Sequence, residues 1–519
     1  MNAIAVLFAN NLAPEAFEPL NSSSNALSSA VAKARSFPSV KDVVLLCNDG
    51  FEAPDSIQAI KLVRSPKWGK KSVLEALDAL SHSADLPYSV DLLYFAWADC
   101  PLLDPELAAA IADRHLKYAA EYSYADGWPY GFAPEILAPT TAHLLALLAG
   151  EDEGPVGRDL LFSVLQKDIN SFDIETEISP QDLRSHRLSL SADSKRNLLL
   201  LQGFMAAGLS KASEAEALIK NKPELLRTLP AFYAIQISGP CPQECALCPY
   251  PLFGKEDSGK SILERRDFME LSRFEGLLDS IVSFSGDAVI DISLWGEAAL
   301  HPEIEAIIGA VLDRPELSLI LETSGLSWPS SLIDRLSQAA SQAKKRVNGM
   351  APLTWIVSLD SDDPERYQAL RGEGYAEAKA FAERLLRLFP QDTHVQALRI
   401  VHEEEDLEQF YRFWKAKTPN VIVQKHDDFC GFLPKLKASD LSPVKRQPCW
   451  HLMRDMSILL DGSVRLCKED LGPSLSLGNV FLESLETIWA ASEKVYLSHT
   501  KKEYQGICAN CDEYYTYNF

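Results

Sequence analysis

Cys241-Pro-Gln-Glu-Cys245-Ala-Leu-Cys248 puts three thiols within eight residues. A second set, Cys449, Cys467 and the pair Cys508-Ala-Asn-Cys511, adds four more. Met1 to Leu12 is short and apolar but has no basic lead, so it does not read as a signal peptide. Thiols at this density, in a chain without such a signal, read as ligands of soft metal centres rather than as disulfide partners. Iron-sulfur clusters lead the candidates. A cubane has four irons, so a set of three cysteines leaves one iron open to another ligand, whereas four cysteines close a centre. Zinc bound by the same sulfurs is the alternative at either set, with equal stoichiometry at the second. Cys47, Cys100 and Cys430 stand apart in sequence and read as small buried hydrophobes, although Cys430, near a strand end, stays a candidate for the site.

Thiols three and two residues apart need a scaffold that presents one loop. The run Ala231 to Ser238 reads as a buried strand delivering Cys241. From there strands at Ala231–Ser238, Val289–Trp295, Leu317–Thr323, Leu353–Ser358, His394–Val401 and Val421–Lys425 alternate with amphipathic helices such as His301–Asp313 and Tyr375–Leu388. Six such units predict a parallel sheet curled into a partial (β/α)6 barrel, with its site at the C-terminal strand ends. Ahead of it, strands Ala3–Phe8 and Val43–Leu46 flank a helix at Ala26–Ala34, a Rossmann-like βαβ opening, and a later strand Asp91–Trp97 runs into Asp99. Asp99 reads as ending that strand and capping the next helix. Behind the barrel, Ser457 to Cys467 holds two apolar stretches around Asp461-Gly462, a hairpin signal. The expected α/β organisation is a domain at 1–205, a helical linker at 206–230, the barrel at 231–438 and a small cysteine-bearing domain at 439–519.

The 519 residues are too many for one core, and 47% hydrophobic content fits a globular protein. A net charge of -23 argues against a nucleic-acid-binding surface, which needs clustered Lys and Arg. No apolar run reaches membrane-spanning length. The expected setting is the cytoplasm, without membrane or nucleic-acid partners.

The C-x3-C-x2-C spacing resembles the signature loop of the radical S-adenosylmethionine (SAM) superfamily, with Leu247 where family members usually carry an aromatic residue. The resemblance implies that Cys241, Cys245 and Cys248 hold a catalytic 4Fe-4S cluster whose open iron chelates SAM, and that Tyr250 packs against the adenine. It implies further that Gly296-Glu297 receives the SAM ammonium. Ser358 and Asp360, at the end of the fourth barrel strand, would approach the ribose or the methionine portion. Glu322-Thr323-Ser324-Gly325 is similar to the family's turn after the third strand, and Tyr367 to Gly372 to a phrase of peptide-modifying members; Arg371 reads equally as a helix-end cation.

The tail resembles SPASM or twitch extensions, which implies one auxiliary 4Fe-4S cluster on Cys449, Cys467, Cys508 and Cys511, used for electron transfer. Residues 1–205 resemble sugar cytidylyltransferases through Asp99, Tyr124-Ala-Asp126-Gly127 and Arg187 to Asp193, the aspartate matching Asp99 holding magnesium in those enzymes. Their phosphate-cradling loop is missing here: Ala9 to Leu20 has no glycine or basic residue and carries Glu15 and Glu18. This domain is therefore expected to be a degenerate nucleotidyltransferase-like fold that recognises a substrate or partner. As a whole the chain resembles the spiro-SPASM family. The implied activity is reductive cleavage of SAM and hydrogen abstraction from a peptide or protein, with a reductant such as flavodoxin or ferredoxin. The alternatives are modification of a sugar or nucleotide-sugar, and a non-catalytic iron-sulfur carrier or scaffold.

Overall fold

The computed structural model describes the chain apart from residues 22–23, 58–59, 84–85, 153, 251–266, 439–445, 472–475 and 514–519. It divides into two compact units, Met1–Thr228 and Leu229–Phe519.

In the first unit, strands β1 (Ala3–Phe8), β2 (Val40–Asn48), β3 (Lys61–Ser65), β4 (Leu92–Trp97), β5 (Tyr122–Asp126), β6 (Glu135–Leu137) and β7 (Ile174–Ile178) form one sheet in the order β3-β2-β1-β4-β6-β5-β7. β1 pairs in parallel with both β2 and β4, and all six of its residues are buried, as a strand covered on both faces must be. The helix Ala26–Ala34 begins at Asn25, whose side chain and that of Ser28 form a reciprocal capping box. β6 runs antiparallel to β4 and β5.

Two expectations change in this unit. Asp104, not Asp99, caps the helix Pro105–Lys117, because its carboxylate lies 2.8 Å from the Glu106 N–H. Residues expected to form a linker instead fold into the unit: Leu209, Ala212, Ala215, Ile219 and Leu226 are buried. Their spacing gives the short helical segments an apolar face that packing covers.

The second unit holds β8 (Phe232–Ile235), β9 (Ala288–Asp291), β10 (Leu317–Thr323), β11 (Leu353–Ser358), β12 (Thr393–Arg399) and β13 (Val421–Lys425), parallel and in sequential order. Helices connect them, among them Leu271–Ser285, Ile304–Leu312 and Tyr375–Leu388. All six C-terminal strand ends therefore open to one side. β9 stops at Asp291, short of the expected Trp295, because Trp295 and Gly296 take left-handed backbone angles of 57° and 72° in φ.

The C-terminal segment joins this sheet. β14 (Asp455–Ile458) pairs in parallel with β8, and the hairpin β14–β15 (Ser463–Arg465) and then β16 (Ser476–Asn479) continue it antiparallel. The expected boundary near 439 falls in 439–445, outside the described residues. No described helix is long and apolar enough to cross a membrane.

Trp355, on β11, is completely buried and meets Trp328 and Phe381 edge-on at 5.1 and 5.9 Å. Trp355→Ala should cost about 3–5 kcal/mol of stability in the second unit, read as an earlier denaturation midpoint.

Candidate active site and metal centres

The loop after β8 is pinned from the side by the helix Pro364–Arg371. The Ala246 N–H donates to the Leu370 carbonyl at 2.8 Å, Gln243 Nε2 donates to the Tyr367 hydroxyl at 2.9 Å, and Cys245 Sγ lies 3.9 Å from the Arg371 carbonyl. Tyr367 and Arg371 thus brace the cysteine loop, which their sequence did not reveal. Cys241, Cys245 and Cys248 line one cavity of about 270 Å³. Burial pushes the Cys241 thiol up to about 11 and the Cys248 thiol up to about 12. A metal taking these sulfurs must displace the protons.

The structure also bears on which metal fits. Among the described residues, the sets of three ligand atoms within 4.8 Å of one another are carboxylates; the thiols are spread wider. A single tetrahedral zinc draws its sulfurs to about 3.8 Å from one another. Three thiols on one loop are the donor set that fits a 4Fe-4S cluster with one open iron.

Tyr250, Gly296, Glu297, Ser358 and Asp360 line the same cavity. At Gly296 a side chain has no room: a Cβ would stand 2.0 Å from the Ser238 carbonyl oxygen, and φ is positive. The turn it makes delivers Glu297, which is 4% exposed. Its carboxylate accepts from the Thr323 hydroxyl at 2.7 Å, the Ser324 hydroxyl at 2.6 Å and the Ser324 N–H at 2.9 Å. Burial raises its pKa, and these donors oppose the rise. Asp360 sits in a left-handed conformation; one oxygen pairs with Arg371 at 2.6 Å and the other accepts from the Leu398 N–H at 2.9 Å. Arg371 is thus no plain helix-end cation but the counter-charge of a buried carboxylate. Ser358 donates to Glu322 at 2.6 Å, and Gln396 Nε2 donates to Glu322 at 2.7 Å. Tyr250 stacks nearly parallel on Trp295, with ring centroids 6.0 Å apart.

Several lining residues were missed from sequence: Glu322, Trp295, Gln396, Lys425 and Lys468. Glu322 and Trp295 lay within the quoted motifs, but the other three carry no local signal, since only strand register and the tail's return bring them in. Lys425 pairs with Glu513 at 2.7 Å and Asp512 at 3.2 Å.

At the second set, Cys449, Cys467, Cys508 and Cys511 stand close enough for their charges to interact. Burial pushes Cys449 up to about 12 and Cys508 up to about 11. Cys430 corrects the reading from sequence. Rather than standing apart, it lies beside Cys511, close enough for the two thiols to affect each other's ionisation, and Phe429, Cys430 and Gly431 are three successive left-handed residues. Phe429 and Lys468 line the cavity while their chain neighbours Cys430 and Cys467 belong to the second set. The two centres therefore share walls.

Two outcomes follow from this geometry. Gly296→Ala should destabilise the second unit by more than the about 1–3 kcal/mol typical of a strained backbone, because the clash is with a carbonyl that cannot rotate away; thermal denaturation of metal-free protein measures it. Mild oxidation of metal-free protein with diamide, which accepts the two electrons, should join Cys430 to Cys511. Peptide mass spectrometry identifies the linkage, and Cys430→Ser abolishes it.

Residues 449–512 match SPASM, an iron-sulfur cluster-binding domain. An uncharacterized protein of Treponema pallidum (strain Nichols) is 36% identical over 367 residues, covering 69% of this chain and 98% of that protein. Among solved structures, Streptococcus suis SuiB bound to precursor peptide SuiA is similar at 15% identity and a TM-score of 0.41, over 65% of this chain and 79% of that one. A cytidylyltransferase from Leptospira borgpetersenii serovar Hardjo-bovis (strain JB197) is similar at 15% identity and a TM-score of 0.36, over 44% of this chain and 97% of that one. With its SPASM match over residues 449–512, this chain belongs to one family with the Treponema pallidum protein.

Proposed function

We propose that this radical SAM enzyme cleaves SAM reductively and removes hydrogen from a peptide or protein substrate. One observation carries the reading: the three thiols of the Cys241–Cys248 loop and the four expected SAM contacts Gly296, Glu297, Ser358 and Asp360 line one cavity at the C-terminal strand ends. Together a 4Fe-4S cluster and SAM supply one-electron chemistry strong enough to break an unactivated C–H bond.

The chain's own part is binding, orientation and exclusion of water. Cys241, Cys245 and Cys248 would hold a 4Fe-4S cluster through three of its irons. Glu297, locked by Thr323 and Ser324, presents a fixed negative charge to the SAM ammonium. The Glu322–Ser358–Gln396 hydrogen-bond network offers acceptors and donors for ribose hydroxyls. Trp295, Tyr250 and Phe429 form an aromatic wall that keeps water from the reacting carbon. Lys425 and Lys468 close the remaining wall, each held by acids: Lys425 by Asp512 and Glu513, Lys468 by Asp427 and Glu469. Cys449, Cys467, Cys508 and Cys511 would hold one auxiliary 4Fe-4S cluster, which would supply a one-electron acceptor. A small protein such as flavodoxin or ferredoxin is the reductant. A peptide is the favoured substrate because the SPASM domain, by resemblance, accompanies peptide and protein modification.

Anaerobic reconstitution should load about eight irons per chain. Replacing Cys241, Cys245 and Cys248 together by Ala should lower this to about four and abolish 5′-deoxyadenosine release from SAM in dithionite. Intact, loaded protein that releases none would instead be an electron carrier. Stimulation of release by a peptide pool, and not by a sugar-nucleotide pool, selects the substrate class.

A further inference from the structure

The first unit holds a separate cavity of about 370 Å³ at the ends of β4 and β5, the size of a small organic ligand. Its walls are largely aromatic, with Trp97, Tyr122, Tyr124, Trp128, Tyr130 and Phe162 among them. Its arginines are already committed. Arg158 grips Asp99 through two bonds, at 2.8 and 2.6 Å, and reaches Asp193 at 2.9 Å. Arg184 holds Asp126 at 3.0 Å and Asp182 at 2.8 Å. The remaining acid of the lining, Glu135, accepts from the Tyr122 hydroxyl and is paired with no Lys or Arg among the described residues. Two guanidinium groups thus pair with four carboxylates, Asp99, Asp193, Asp126 and Asp182, of which Asp126 lines the cavity, and Glu135 is a fifth acid on its wall.

This charge balance repels a nucleoside triphosphate, and the guanidinium of Arg158 lies where a divalent metal bridging Asp99 and Asp193 would have to sit. What the cavity does accept is visible in its own construction, since Arg158 lies over the ring of Trp97 at 4.2 Å and near that of Tyr130 at 5.4 Å. Ring faces that attract one cation attract another. We propose that this cavity is a metal-free binding site for an organic ammonium group, seated on aromatic faces with Glu135 as its counter-charge. Burial, with a smaller contribution from Asp159, holds the Glu135 carboxyl up at about 7. A bound cation favours the ionised carboxylate and drives the proton off. The groups that bear on this titration are Tyr122, whose hydroxyl opposes the rise, and Asp159, which adds to it.

The proposal is independent of the radical chemistry in the second unit, so the two can fail separately. Full-length protein is titrated calorimetrically with choline, with its uncharged isostere 3,3-dimethylbutan-1-ol, and with CTP plus magnesium. Choline should bind at least tenfold more tightly than the isostere, and Glu135→Gln should remove that preference while leaving deoxyadenosine release unchanged. Repeating the wild-type titration at pH 7 in two buffers of different ionisation enthalpy should show proton release, lost at pH 9, and this holds even if the variant misfolds. Equal affinity for choline and the isostere, binding of neither, tighter binding of CTP with magnesium, or no proton release at pH 7 overturns the proposal.

Discussion

The backbone at Gly296 passes so close to the Ser238 carbonyl that no side chain fits between them. That approach ties the turn after β9 to the loop leaving β8, and the cavity is built on it. It ends β9 early, orients Glu297 towards Thr323 and Ser324, and places Trp295 where it stacks on Tyr250 and meets Phe429. Relaxing it by one methyl group would separate the cysteine loop from the residues that face it. Trp295 and Asp360, both left-handed non-glycine residues, are held in that conformation at this opening.

Buried carboxylates in both units are handled by one physical device. A charge withdrawn from water is tolerated when donors hold it in one orientation. Glu297 is satisfied by hydroxyls and amides, Asp360 by Arg371 and an amide, and Asp99 by both arms of Arg158. The outcomes differ because the donors differ. Neutral donors leave Glu297 with a net negative charge to offer a cation, whereas a guanidinium cancels the charge of Asp99 and closes the place a metal would take. The same acid at a strand end can therefore be a ligand site in one unit and a structural pair in the other.

The auxiliary segment shows how far a domain boundary drawn on composition departs from the packing. The segment after 445 pairs through β14 with β8, the strand that feeds the cysteine loop, so the hairpin that leads to Cys467 extends the barrel's own sheet. Lys468 and Phe429 face the cavity while Cys467 and Cys430 face the second set. An electron crossing between such centres would have little protein to traverse.

Much of this was legible in the chain alone. Apolar runs and helical periodicity marked β1, β10, β11 and β13 and the helices Ala26–Ala34 and Tyr375–Leu388 to the residue, because residue pattern is a local property. The cysteine spacing and the motifs in their order along the strands marked the site for the same reason: each is a few adjacent residues. What needed the tertiary structure was every partnership between residues far apart in sequence. Arg158 with Asp99, Arg371 with Asp360, Gln396 with Glu322 and Cys430 with Cys511 are pairs that no local pattern announces. Residue type and spacing determined which chemistry the chain carries; packing decided which charges remain free to perform it, since only folding sets which cation reaches which acid first.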